Sequence, residues 1–202
     1  MNLPATEHPA AQFSSEFAKA HGPNWLEWLG HLKGQPCAQA IELGTWLGES
    51  AEWALDNIFT GENARYLCVD TFDGSDEHRL AGIDCAENEN TARARLGRFG
   101  QRAVIHRSRS DEFLRKSSHA QNCFDFVYVD AAHDAMNVLR DAVLAFDLLR
   151  PGGVMVFDDY QWKVMRDEID RPALAIDAFM ACYARRFEVI GMGWQVAIKK
   201  GA

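Results

Sequence analysis

The chain has 202 residues, a net charge of −8, 48% hydrophobic and 25% charged residues, the composition of an ordinary globular domain able to bury a core without metal or disulfide help. The acidic balance, with no run of basic residues longer than a pair, argues against nucleic acid or an anionic membrane as the main partner, since both select basic patches. No apolar run approaches the roughly 18–20 residues of a membrane span, and residues 1–20 lack the pattern of a signal peptide.

Residues 1–36 read as a helical and loop extension, with an aromatic, amphipathic "WLEWLGHL" that either packs on the rest of the fold or forms a partner face. From residue 37 to 202 short apolar runs alternate with helical segments. Strands are expected at Ala38–Leu43, Tyr66–Phe72, Ala103–His106, Phe124–Val129 and Val154–Phe157. Their near-continuous apolar character suits parallel strands buried on both faces. Helices are expected at Glu49–Phe59, Asn88–Phe99 and Ala135–Leu149. In the last, Met136, Leu139, Val143, Leu144 and Leu148 mark an apolar stripe, and Arg150-Pro151-Gly152-Gly153 ends it. After a polar stretch, Pro172 opens a helix to about Arg186. "FEVIGMG" and "WQVAIKK" then read as an antiparallel hairpin. Strand–helix alternation predicts right-handed βαβ units and a doubly wound α/β sheet.

Three places carry chemistry. In "IELGTWLGES" a strand ends, glycines turn the chain and a helix begins, so free N–H groups face a ligand. Asp70 ends the second strand, where an acid accepts hydrogen bonds from both hydroxyls of a ribose. Asp130 ends the fourth strand, and Asp158 and Asp159 end the fifth. In a parallel sheet those ends are neighbours. Three such carboxylates repel one another unless a cation or protons intervene, and a hard divalent cation is one solution. His133, three residues after Asp130, is a candidate general base. Each feature also has a plain structural reading, as a βα turn, a helix cap or an arginine partner. The five cysteines show no metal-ligand spacing and read as reduced thiols of a cytoplasmic protein.

Together these motifs resemble class I S-adenosylmethionine-dependent methyltransferases, and within them a bacterial branch that includes cephalosporin-biosynthesis and macrolide-sugar O-methyltransferases. The resemblance covers about Cys37 to Lys200 and rests on "IELGTWLGES", "VDTFDG" and "VYVDAAHD…LRPGGVMVFDDY". It implies a Rossmann-like seven-stranded sheet, mostly parallel, with the last strand antiparallel. It implies a cofactor wall of Glu42, Gly44, Thr45, Trp46, Gly48, Ser50 and Asp130, with Asp70 and Thr71 at the ribose and Ser108 and Ser110 near the adenine. Asp130, Asp158 and Asp159 match Mg²⁺ ligand positions, and His133 and Asp130 the catalytic ones. Trp46 places a bulky ring where smaller residues are common. The implied activity is methyl transfer to a hydroxyl of a small molecule such as a phenol, a sugar or an antibiotic intermediate, without nucleic acid or membrane, and with homo-oligomerisation left open. A nicotinamide-dependent oxidoreductase or a non-catalytic cofactor-binding module would share the glycine turn and the ribose acid. The oxidoreductase does not account for the acids that end the fourth and fifth strands, and those acids with His133 favour catalysis over a pure binding module.

Overall fold

The computed structural model describes residues 17–75, 78–79, 81–118, 121–163 and 167–202. Seven strands form one sheet: β1 (Gln39–Leu43), β2 (Arg65–Asp70), β3 (Ala103–Arg107), β4 (Phe124–Val129), β5 (Leu149–Phe157), β6 (Phe187–Met192) and β7 (Val196–Lys200). Their order is β3-β2-β1-β4-β5-β7-β6. The pairings from β3 through β5 are parallel. β7 runs antiparallel to both of its neighbours, so the expected doubly wound sheet with an antiparallel last strand is what the chain forms.

Side-chain alternation sends successive residues to opposite faces of the sheet, and both faces are buried. Ala40, Cys68, Phe126, Tyr128 and Val156 lie under α1 (Gly22–Leu29), α2 (Glu49–Asn57) and α3 (Asn88–Leu96). Ile41, Val69, Val127, Met155 and Ile198 lie under α4 (Ser110–Lys116), α5 (Ala135–Leu148) and α6 (Pro172–Tyr183). The aromatic segment near the N-terminus packs on the sheet. Trp25 is fully buried and makes edge contacts with Phe126 and Tyr128.

The strand and helix expectations hold within a few residues, with three differences. β5 begins at Leu149, because the Arg150–Gly153 segment stays in the sheet through a bulge opposite Phe124–Phe126. Met136 does not belong to the buried stripe of α5. It sits in the first turn, 66% exposed, and the buried face runs through Val138, Ala142, Ala145 and Phe146. Helix α4 has no counterpart among the expected helices, because its "SDEFLRK" is short and mostly charged. The five cysteines are unbridged. No helix among the described residues is long and apolar enough to cross a membrane.

Candidate functional site

The carboxyl ends of β1, β2, β4 and β5 open onto a cavity of about 590 Å³. In an open α/β sheet this edge, beside the point where strand order reverses, is where ligands bind. Here β1 lies between β2 and β4.

The floor is the β1–α2 turn. Gly44 has φ of +88° and Gly48 +80°, a region that glycine enters without steric cost. Gly48 caps α2. Gly44 is required for a further reason. A Cβ there would lie 2.7 Å from Ala131 Cα and closer still to the Asp130 carbonyl. The turn is therefore pressed against the end of β4. Its amides are ordered by Asp70, whose Oδ2 accepts from Thr45 N–H at 2.6 Å and Trp46 N–H at 2.8 Å. The other oxygen, Oδ1, accepts from Phe72 N–H at 2.7 Å. Trp46, at φ of +50°, stacks on His78 with ring centroids 4.0 Å apart. Both line the cavity together with Thr45, Ser50, Asp70 and Thr71.

Glu42 sits differently. It is fully buried on β1 beneath the turn, accepting from Ser50 Oγ and Tyr66 Oη, each at 2.8 Å. Burial pushes its carboxyl up to about 7, opposed by the hydrogen bonds of Ser50, Tyr66 and Thr45. It is absent from the residues that line the cavity and meets it through Ser50. Ser108 and Ser110 line an adjoining recess of about 120 Å³ with Asp70, Thr71 and Asn137. Ser110 bonds the buried Asp141, whose carboxyl burial raises to about 7.

At the opposite end, Asp130 Oδ1 lies 3.6 Å and Asp159 Oδ2 3.1 Å from His133 Nε2. Donor atoms of these three residues fall within 4.8 Å of one another. Burial, then the charges of Asp158 and Asp159, hold the Asp130 carboxyl well above the usual carboxylate range, with His133 opposing. Asp158 lines the same cavity but turns away from the cluster. Its Oδ2 accepts from Tyr128 Oη and Gln195 Nε2, and its Oδ1 from Asp159 N–H. Of the three acids expected together, the structure joins two, and His133 takes the third place. Phe17, His21 and Trp194 complete the wall, and Trp162 packs edge-on to His133. Burial holds the His21 imidazole below its ordinary range, opposed by Asp158. None of these last residues was singled out from sequence, nor was Gln195. The available signal for Gln195 was a lone amide ahead of the apolar "VAI" of β7.

A glycine turn, an acid at the end of β2 and a carboxylate–imidazole cluster along one sheet edge define a nucleoside-cofactor group-transfer fold. The model of the methyltransferase domain family matches residues 41–160, more than half of the chain. The protein belongs to that family, and it is a methyltransferase of the class I, S-adenosylmethionine-dependent type read from its motifs. The match also decides between methyl transfer and the oxidoreductase reading that the glycine turn and ribose acid shared.

No curated protein matches the sequence. Solved structures show the same fold at low identity. An O-methyltransferase from Bacillus cereus in complex with SAH has a TM-score of 0.63 and 17% identity, covering 98% of this chain and 94% of that one. TomG from Streptomyces achromogenes, an O-methyltransferase involved in tomaymycin synthesis, in complex with SAM, has a TM-score of 0.63 and 17% identity over 99% and 93%. MycE of the mycinamycin biosynthetic pathway, in complex with Mg, SAH and mycinamycin VI, has a TM-score of 0.62 and 16% identity over 93% of this chain and 54% of that one.

Proposed function

We propose that this protein is an O-methyltransferase that moves the methyl group of S-adenosylmethionine to a hydroxyl of a small molecule, with a divalent cation at Asp130 and Asp159. The observation that carries the reading is the continuity of one cleft, with the β1–α2 turn and Asp70 at one end and the Asp130–His133–Asp159 cluster at the other. The complexes of TomG with SAM and of MycE with Mg and SAH support it by likeness of fold.

When bound, S-adenosylmethionine supplies an electrophilic methyl on a sulfonium, and a divalent cation favours the ionised form of a nearby hydroxyl. The chain's residues fit both. Thr45 and Trp46 present the turn, Asp70 and Thr71 the ribose site, and Ser108 and Ser110 the wall of the base recess. Asp130 and Asp159 are oxygen donors drawn together in a half-buried place, and the burial and mutual repulsion that act on Asp130 are what a hard cation relieves. Mg²⁺ is commonly held by one or two carboxylates, with water and substrate filling its other positions. His133, beside both acids, is placed to take the proton of the acceptor hydroxyl. Phe17 and Trp194 give the cleft an aromatic wall, and Trp162 packs edge-on to His133.

Calorimetric titration with S-adenosylhomocysteine tests the donor, and methyl transfer to a panel of phenols, sugars and hydroxylated antibiotic intermediates, with Mg²⁺ or with EDTA, tests acceptor and cation. Saturable micromolar binding and EDTA-sensitive turnover are expected. Absence of binding would remove the donor assignment, and EDTA-insensitive turnover would remove the cation.

A further inference from the structure

Beneath Asp158 lies a buried polar chain that runs from α1 through Gln195 and Tyr128. Gln195, 2% exposed, accepts from Trp25 Nε1 through its Oε1 at 2.8 Å. An indole N–H only donates, so it fixes which end of the Gln195 amide faces it. The Nε2 end must then point at Tyr128 Oη and Asp158 Oδ2, each 3.2 Å away. Tyr128 accepts that bond and donates its own hydroxyl hydrogen bond to Asp158 Oδ2. The direction of every bond follows from the indole, and Asp158 Oδ2 receives two donors from the protein interior.

The other oxygen acts on the neighbouring residue. Asp158 Oδ1 accepts from Asp159 N–H at 2.7 Å, and Asp159 has φ of +59°. A non-glycine residue keeps that conformation only where its surroundings determine it. In it, the Asp159 carboxylate reaches His133 and the donor cluster that excludes Asp158.

We propose that Asp158 is a positioning residue and lies outside the cation's shell. Gln195, oriented by Trp25, and Tyr128 seat Asp158, and Asp158 sets the backbone of Asp159, which with Asp130 holds the cation. This rests on the cation assigned in the preceding subsection and divides the three acids at the ends of β4 and β5 into two ligands and one support.

Mn²⁺ alone, followed by electron paramagnetic resonance of the free ion, is the probe, with S-adenosylhomocysteine titrated in parallel on the same preparations. Asp130→Asn and Asp159→Asn are expected to weaken Mn²⁺ binding by more than about 50-fold. Asp158→Asn still accepts from Asp159 N–H, and Gln195→Leu acts at one further remove. Each is expected to weaken it by about 10-fold, the low end of the range for a supporting hydrogen bond, with S-adenosylhomocysteine affinity unchanged within twofold. Mere unfolding would lower the bound fraction and leave the affinity of the remainder intact. An Asp158→Asn loss as large as that of Asp159→Asn would overturn the proposal. So would a Gln195→Leu affinity equal to that of the unmodified chain. If the unmodified chain binds S-adenosylhomocysteine but no Mn²⁺, the cation falls and this proposal with it, while the donor assignment stands. If it binds Mn²⁺ but no S-adenosylhomocysteine, the donor assignment fails and the Mn²⁺ comparison still decides the role of Asp158.

Discussion

Replacing Gly44 by alanine tests whether the floor of the cavity is built by backbone contact or only by backbone freedom. Two costs apply at Gly44. Its φ of +88° puts an alanine in the left-handed region, at about 1–2 kcal/mol. The new methyl also meets Ala131 Cα at 2.7 Å and the Asp130 carbonyl closer still. Both are main-chain groups, and overpacking of this kind costs about 1–3 kcal/mol more. The Gly44 amide bonds Val69 C=O at 2.9 Å and the Asp130 amide bonds Leu43 C=O at 2.8 Å, so the strain falls on the β1–β2 and β1–β4 seams together. Gly48→Ala is the matched control. Its φ is +80°, and the nearest atom to a new methyl is Leu96 Cδ1 at 3.3 Å, the end of a flexible side chain. It carries only the conformational cost, about 1–2 kcal/mol. Urea unfolding of both should find Gly44→Ala less stable than Gly48→Ala by about 1–3 kcal/mol, and thermal midpoints about 2–12 °C apart for a domain of this size. Gly44→Ala should also weaken S-adenosylhomocysteine binding by displacing Asp130 from the turn. Equal stabilities would refute the close-approach argument and leave Gly44 a turn glycine like any other.

Two further predictions concern buried or bonded acids. Glu42, raised from 4.5 to about 7, holds a proton in the folded chain that the unfolded chain releases between those values. Stability therefore falls as pH rises through that window, by about 3 kcal/mol in all. Asp141, also raised to about 7, adds a like slope, so Glu42→Gln is compared with the unmodified chain at each pH. The variant should lose less stability between pH 4.5 and 8, and an identical pH profile would contradict the placement of Glu42. Asp70→Ala removes the acceptor of three backbone amides, where one hydrogen bond to a charged group is worth about 1.5–3 kcal/mol. Calorimetry should show S-adenosylhomocysteine affinity reduced at least tenfold, and unchanged affinity would place the ribose elsewhere.

What could be read from the sequence was whatever depends on a residue and its chain neighbours. β4 is found where its near-continuous apolar "FDFVYV" puts it, because a central parallel strand is apolar on both faces. The glycine turn and the strand-end acids follow from their place at strand–helix junctions. Local rules fail where tertiary contact overrides them. Pro151 and Gly152 are breakers by local rule, yet a bulge admits them to β5. Met136 has the spacing of a core residue but lies in the first turn of α5, beyond the part that α6 and the sheet cover. Asp141, polar by type, is buried in that same face.

The support of the site was the least legible part, and for a definite reason. Trp25 and Gln195 are 170 positions apart in the chain, and Gln195 and Asp158 are 37 apart. No periodicity links them; they meet because β7 inserts beside β5 and α1 lies across the sheet. Asp158 and Asp159, by contrast, are neighbours in sequence and look equivalent there, as two acids at one strand end. Their difference comes from the direction each carboxylate takes. One turns down into a row of donors that begins at a buried indole. The other is turned by a left-handed backbone up into the cavity. A pair of identical residues thus divides into support and candidate ligand, because Tyr128 and Gln195 hold one carboxylate while the left-handed backbone brings the other to His133.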